Sequence, residues 1–582
     1  MVALAPASLV AADEKPKLYS RLDGENQAVL TRLPDLTPGV VAYRLDNPAR
    51  HQNHYAVEAL WRTSRPVQKG AALLARFHVR TLFARQEAGE AAFGFYFQQT
   101  AQPWHKSTLT RLSVGMEWQL IELPFQAAGD YAPGEVAAYL SFAFYPQSLE
   151  FTMPEVLDFG DRVAVDDLPK TRFTYAGREP DAAWRSEALA RIEELRVSPL
   201  NIIVRDANGR PVPDARVKAR LDRPEFIFGS EIDTEWIMKD TPDAERYRQT
   251  SLELFCTLTP GSGLKWHRWF FPTASPGRRW TRDETLKALD WLYAQDVRVK
   301  GHVLVWGGWG FTPRPVREMS DKAERDRRLP GMIEDFIRQV TAATKDRLEI
   351  WEVLNEPLNE PDYINLLGEE AAAGWFKLAR ELAPQAQLFI NDYRMLTGGE
   401  SRDMVEKYLA LIARLRAHGA PIDGIGIQGH FGQQMPGIPS IKADMDLLAS
   451  AGLPIHITEF DINTTDEALQ ADFTRDFLIL CYSHPGFTGF INWGYWEGTH
   501  WLPLAAMYRK DWSIKPNGQV WRDLVLGEWR TRIDATTSPS GEVAARGHRG
   551  RYRIEITTPD GRAAELTHQL TRSAGEVVVT LP

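Results

Sequence analysis

Trp351-Glu352-Val353-Leu354-Asn355-Glu356-Pro357 is the stretch on which the fold turns, together with Ile457-Thr458-Glu459-Phe460-Asp461 about a hundred residues later. Each reads as a short apolar β-strand whose last residues are carboxylates. Most of the 77 Asp and Glu side chains in the chain are solvated surface charge. A carboxylate that closes an apolar run containing Val353 and Leu354 is different, because its burial must be compensated. In a barrel of parallel strands, the C-terminal strand ends converge on one mouth, where catalytic groups gather.

The segments around these two repeat the same alternation. From Phe226 onward, strands are expected near 226–230, 256–260, 297–304, 348–354, 387–391, 423–428, 455–459 and 488–493. Helical periods lie between them at 281–294, 332–344, 401–418, 441–450 and 466–482. Thr281 with Glu284 forms a capping box, and Gly419 and Gly452 stand where helix C-caps belong. Eight strands alternating with helices over about 300 residues define an α/β chain with a (β/α)8 TIM barrel, placed at 226–526.

Outside the barrel the pattern changes. Residues 20–168 carry short alternating or aromatic-rich runs separated by Gly and Pro, such as 75–84, 91–97, 118–125 and 137–145, which predicts an N-terminal β-sandwich. In outline it is similar to the jelly-roll carbohydrate-binding modules found ahead of polysaccharide hydrolases. Tyr96, Trp104 and Trp118 are its candidates for stacking on sugar, with core packing as the competing use. Residues 181–225 read as a linker helix and a β-hairpin around Asn208-Gly209 that leads into the barrel. Residues 527–582 read as a small C-terminal antiparallel β appendage, punctuated by Gly541, Gly547, Gly550 and Gly561.

Composition narrows the function. A chain of 582 residues is too long for one core. The net charge of −9 and pI near 5.9 do not suit nucleic-acid or anionic-membrane partners. No run reaches the ~18 apolar residues of a membrane-spanning helix. With only Cys256 and Cys481, there is no disulfide framework. Residues 1–12, Met-Val-Ala-Leu-Ala-Pro-Ala-Ser-Leu-Val-Ala-Ala, look like a signal-peptide remnant with a cleavage site near Ala11 or Ala12, so a secreted or periplasmic location is expected. No Cys/His spacing suggests a metal site and no glycine loop a phosphate site, so neither metal nor cofactor is expected. The 19 Trp stand out, since flat aromatic faces are what sugar rings stack on.

Read together, the strand ends carry more than two acids. Pro260 is followed by Lys265-Trp266, and Gly301-His302-Val303-Leu304-Val305-Trp306 marks the third strand. Asn391-Asp392-Tyr393 ends the fifth, Gln428-Gly429-His430 the sixth, and Asn492-Trp493-Gly494, with Glu497, His500 and Trp501 beyond, the eighth. This ordered set closely resembles glycoside hydrolase family 10, the retaining endo-β-1,4-xylanases, over about 196–525. The resemblance implies Glu356 as general acid/base and Glu459 as nucleophile, with carboxyl groups about 5–5.5 Å apart. It implies that His430 bonds Glu459, and that Asn355 and Gln428 hold the sugar hydroxyl beside the reacting carbon. It gives Lys265 and His302 the hydroxyls farther round the ring, and makes Trp306, Trp493 and Trp501 the walls. Glu356 then needs a raised pKa, which the charge on Glu459 would supply. Asp461 reads as a structural hydrogen-bonder.

The departures concern substrate. The family usually reads Pro-Glu-Asn-Glu-Met-Lys-Trp after strand two, where this chain has Pro260-Gly261-Ser262-Gly263-Leu264-Lys265-Trp266. A His-Ser-Gln type sequence after Trp306 is replaced by Gly307-Gly308-Trp309. The neighbouring subsite is therefore rebuilt, smaller and more apolar, and losing polar groups there loosens or redirects sugar selectivity. The expected partner is a polysaccharide or oligosaccharide, xylan first, another β-glycan or a decorated xylan second. A reading of another class is an idle barrel that binds polysaccharide without cleaving it, against which both Glu356 and Glu459 stand. No motif speaks to oligomeric state.

Overall fold

A computed structural model describes residues 7–22, 27–270, 282–345, 347–573 and 575–581. They fall into two compact units, one holding Met1–Tyr175 with Thr397–Gly399 and Phe431–Pro436, the other the rest of the chain.

The second unit holds the barrel. Its strands are β1 (Ile227–Ile232), β2 (Thr257–Pro260), β3 (Arg298–Gly301, resumed at Val305–Trp306), β4 (Ile350–Asn355), β5 (Gln387–Asp392), β6 (Gly424–Phe431), β7 (Ile455–Ile462) and β8 (Phe487–Asn492). They follow one another in order, and β8 pairs in parallel with β1 to close the ring. Every residue of β4, β6 and β7 is buried, because helices cover the outside and side chains fill the inside, which is why these strands read as apolar runs. Register sets the height of the mouth. Trp306 pairs with Asn355, Asn355 with Asn391, and Asn391 with Gly426, so these residues share one rung.

Helices alternate with the strands and start on side-chain caps. Thr241, Asp321 and Asp466 each accept a backbone N–H from the first turn of Pro242–Leu254, Lys322–Thr344 and Glu467–Ser483. The capping box expected at Thr281 lies outside the described residues. The helix expected from 332 begins ten residues earlier and runs through Pro330, because Asp321 caps it and Leu329, Ile333, Phe336, Ile337 and Val340 bury one face.

The turn expected within 181–225 forms, while the longer strands on either side of it pair elsewhere. Val197–Arg205 pairs with Glu542–His548 and Glu576–Thr580, while Arg216–Pro224 pairs with Arg532–Thr536 and Gly550–Thr557. The turn is present, with Gly209 at φ +76° and Asp206 accepting the N–H groups of Asn208 and Arg210. Arg205 bridges to Pro211 and Val212 N–H donates to Val204 O at 3.1 Å, but Pro213 next has no N–H to extend the ladder, and the two strands part into different sheets. The C-terminal appendage is therefore not separate. It forms one small module with 197–224 around Leu200, Ile202, Val217, Leu221, Tyr552 and Ile554.

The first unit is a sandwich of a seven-stranded and a five-stranded antiparallel sheet. Trp61, Phe77, Phe95, Phe97, Phe125 and Phe151 lie buried between them. The stretch expected to be a signal-peptide remnant contributes to this unit. Ala7–Ser8 pairs with Leu157 and Asp158, and Leu9 and Val10 are buried in the core. Cleavage near Ala11 or Ala12 would remove this edge strand. Among the described residues, no helix is long and apolar enough to cross a membrane.

Candidate active site

Glu356 follows β4 directly and Glu459 lies within β7, and both side chains are buried at the C-terminal end of the barrel. Glu356 has a left-handed backbone, φ +57°, held by its N–H to Asn391 O at 2.7 Å. A non-glycine residue in that region is strained and persists only where its surroundings impose it.

Amides link the two acids. Asn391 Nδ2 donates to Glu459 Oε1 at 2.9 Å and to Asn355 Oδ1 at 2.8 Å. Thr458 Oγ1 donates to Asn391 Oδ1 at 2.6 Å, which fixes the amide orientation. Asn355 Nδ2 and Gln428 Nε2 donate to Glu356 Oε1 at 3.1 and 2.9 Å, and Trp306 Nε1 donates to Oε2 at 2.7 Å. Even so, the Glu356 pKa is raised well above the carboxylate range. Burial is the largest cause, opposed by the Gln428 hydrogen bond and reinforced by the charge of Glu459. The sequence-based expectation credited Glu459 alone and missed the larger effect of burial.

Glu459 sits in a different field. His430 Nε2 lies 3.3 Å from Glu459 Oε2, and its Nδ1 lies 3.0 Å from Asp461 Oδ1. Burial opposes a charge on this ring, but the two carboxylates outweigh it and raise the His430 pKa well above its usual value. An imidazolium here stands between the carboxylates of Glu459 and Asp461. Trp501 Nε1 donates to Asp461 Oδ2 at 2.8 Å, which gives Asp461 a structural part and sets Trp501 edge-on to the His430 ring, 5.2 Å between centroids. The two carboxyl groups thus have different surroundings, Glu356 buried among amide and indole donors and Glu459 beside the His430 ring, the kind of asymmetry that separates an acid from a nucleophile.

The remaining residues surround this pair. Lys265 Nζ lies 4.7 Å over the Trp306 ring, and burial lowers its pKa against the pull of Glu459, Glu356, Glu231 and Glu352. His302 packs edge-on to Trp493 at 5.0 Å. Asp392 holds the loop after Glu356 by accepting from Leu358 N and Asn359 Nδ2 at 2.8 and 2.7 Å. Beyond Gly308, Trp309 is clamped by Arg325, 3.9 Å over its ring, and by Asp362, which accepts its N–H. Glu497 and His500 accept backbone N–H groups of Lys510 and Leu502, so both serve the β8 loop.

Two features went unseen in the sequence. Glu352 is wholly buried beneath the mouth and pairs with Lys300 Nζ and His302 Nδ1, both buried as well. Glu352, His302 and Glu459 place one donor atom each within 4.8 Å of one another, but both Glu352 oxygens already serve Lys300 and His302. Glu231, on β1, extends toward Gly261. A Cβ built on Gly261 would lie 2.2 Å from its Oε1, and its Oε2 is 3.5 Å from a Cβ built on Gly494. The glycine that replaces a family carboxylate therefore makes room for a carboxylate from another strand. A glutamate in a strand end was the only sequence signal, and it gave no direction.

A closed (β/α)8 barrel with paired buried carboxylates at its C-terminal mouth has the layout of the two-carboxylate glycoside hydrolases. Residues 221–519 match glycosyl hydrolase family 10, and the chain belongs to that family. It is 31% identical over 402 residues to anti-sigma-I factor RsgI6 of Acetivibrio thermocellus, covering 68% of this chain and 50% of that protein. It is 28% identical over 393 residues to endo-1,4-beta-xylanase 2 of Arabidopsis thaliana, covering 68% and 34%. Endo-1,4-beta-xylanase B of Thermotoga neapolitana is 29% identical over 316 residues, covering 50% and 86%. The chain thus spans half or less of the length of the first two of these relatives. Among solved structures, xylanase 10B from Thermotoga petrophila RKU-1 in complex with xylobiose aligns over 52% of this chain and 95% of its own, with 23% identity and TM-score 0.45.

Proposed function

We propose that this chain is a retaining glycoside hydrolase that cleaves internal β-1,4 linkages of xylan or a closely related β-glycan. The observation that carries the reading is the opposite electrostatic setting of Glu356 and Glu459 on one amide network. Relatives that bear the name endo-1,4-beta-xylanase support the substrate class. In the first step Glu356 gives its proton to the glycosidic oxygen while Glu459 attacks the anomeric carbon. The bond from that carbon to the leaving oxygen breaks, and a glycosyl ester with Glu459 forms. In the second step Glu356, now a carboxylate, takes a proton from water as the water oxygen attacks the same carbon. The ester breaks, Glu459 is again a carboxylate, and the product keeps the β configuration. Asn355 and Gln428 orient the hydroxyl beside the reacting carbon. Lys265 and His302 take those farther round, with Trp306, Trp493 and Trp501 as walls.

A second reading, a decorated xylan or a different β-glycan, is favoured by Glu231 at Gly261 and by the clamped Trp309 next to Gly307 and Gly308. Export remains an inference from residues 1–12, and no nucleic-acid or membrane partner enters the scheme. The test is incubation with a panel of β-glycans, with products sized by mass and their anomeric form followed by proton NMR. Xylo-oligosaccharides that appear first as the β anomer are expected. Products from other glycans only would overturn the xylan assignment, and an initial α anomer would overturn the double displacement.

A further inference from the structure

Strand alternation on the five-stranded sheet of the sandwich leaves an aromatic face outside the core. Ala59, Trp61, Phe95, Phe97, Ala138 and Leu140 point between the sheets. Their neighbours Leu60, Tyr96, Ala137 and Tyr139 point to the other side and form a separate buried cluster. On that side Tyr96 and Tyr139 stack at 4.9 Å and 10° as the floor of a cleft of about 650 Å³. Its rim carries Tyr19, Tyr55, Trp104 and Leu109, all 39–47% exposed. Most of the large hydrophobic side chains exposed in this unit are thus gathered around one cleft, where a solvated sheet face would carry polar ones.

Polar groups lie between the rings. Glu58, Gln98 and Thr100 line the cleft, and the Tyr96 hydroxyl is buried there with no hydrogen-bond partner among the described residues. Arg62 is drawn aside by Thr100 Oγ1 and Gly134 O at 3.1 and 2.8 Å. Cations also lie at the rings, Lys17 4.7 Å over Tyr19, Arg21 5.6 Å over Tyr55 and Lys106 5.7 Å over Tyr96, and a sugar stacking on those faces would displace them. Rings flanked by carboxyl, amide, hydroxyl and cationic hydrogen-bonding groups match the two surfaces of a pyranose, an apolar C–H face and an edge of hydroxyls.

We propose that this face of the sandwich is a second carbohydrate site, holding a segment of β-linked polysaccharide against Trp104, Tyr55 and Tyr19 with Glu58 and Gln98 on its hydroxyls. The choice of a β-glycan rests on the hydrolase reading; the site itself does not. It takes no part in bond cleavage and keeps the chain on its polymer.

The test uses the full chain with Glu459→Ala, so that the glycan is not consumed, in affinity electrophoresis through gels holding xylan, arabinoxylan or mixed-linkage β-glucan. Trp104→Asn with Tyr55→Ala is the probe. Asn suits the left-handed backbone of Trp104, φ +61°, and both side chains are exposed, so the fold should hold, with an unchanged Tm as the check. At least one glycan should retard the parent, and the probe should lower its apparent association constant five-fold or more. In the otherwise active chain, the same two changes should leave hydrolysis of a short soluble oligosaccharide unaltered. Equal retardation of parent and probe, or no retardation by any glycan, overturns the site. Retardation that depends on Trp104 in a chain that hydrolyses nothing would overturn the hydrolase reading and leave this site standing.

Discussion

The indole of Trp306 donates to Oε2 of Glu356 at 2.7 Å, while Gln428 and Asn355 donate to its Oε1. N–H donors favour the ionised carboxylate, whereas burial and Glu459 favour the protonated one and prevail. Removing a donor should therefore raise the Glu356 pKa further. A general acid works while protonated, so Trp306→Phe is expected to move the alkaline limb of the kcat/KM–pH profile upward. A limb that moves down would contradict this balance.

Replacing the two acids should separate their roles. Glu356→Ala is expected to lose 10²–10⁴-fold on natural glycans. It should lose far less on aryl glycosides, whose leaving group needs no proton, and azide should restore turnover with a β-glycosyl azide as product. Glu459→Ala should lose turnover on both substrates. Steady-state rates on the two substrate types decide it, and unchanged hydrolysis in the Glu459 variant would remove that residue from its role.

Lys300 and Glu352 form an ion pair with no solvent contact, and His302 shares the same carboxylate. Removing one partner strands a buried charge, at a cost of about 3–5 kcal/mol. Glu352→Leu and Lys300→Met should each lower the unfolding free energy by that order, and the double variant should lose less than their sum. Guanidinium unfolding of the three proteins measures the coupling.

Gly261 leaves space that the Glu231 side chain uses. Gly261→Ala should displace that flexible carboxylate and leave the fold intact, raising KM several-fold with little change in kcat. With Glu231→Ala already present, the same alanine should have little further effect. Additive losses in this double-mutant cycle would separate the two residues.

His456 is buried against Phe389, with ring centroids 4.4 Å apart, and burial with Lys300 and Arg298 nearby lowers its pKa to about 3. The unfolded chain binds this proton near pH 6.5 and the folded one does not until about pH 3, so stability falls as pH drops through that window. The slope from this residue is about 1.4 kcal/mol per pH unit. His456→Leu should flatten the decline of Tm between pH 6 and 4 relative to the parent.

Much of this was legible in the chain. Eight apolar runs separated by helical periods announce a barrel, because burial on both faces forces a continuous apolar pattern on each strand. Motifs at the strand ends announce the acids, since a carboxylate that closes such a run must be compensated. Partners that come from other strands were not legible. Register decides that Asn391 meets Glu459 and Asn355, and that Lys300 and His302 share Glu352. The turn at Asn208-Gly209 was legible because it is a local property, while the main pairing of its two strands belongs to segments more than three hundred residues away. Sequence alone determined which residues are apolar, which are acidic and where the chain turns. Only the tertiary structure decided which acid is buried against which donor, because that depends on distances set by barrel closure and not on spacing along the chain.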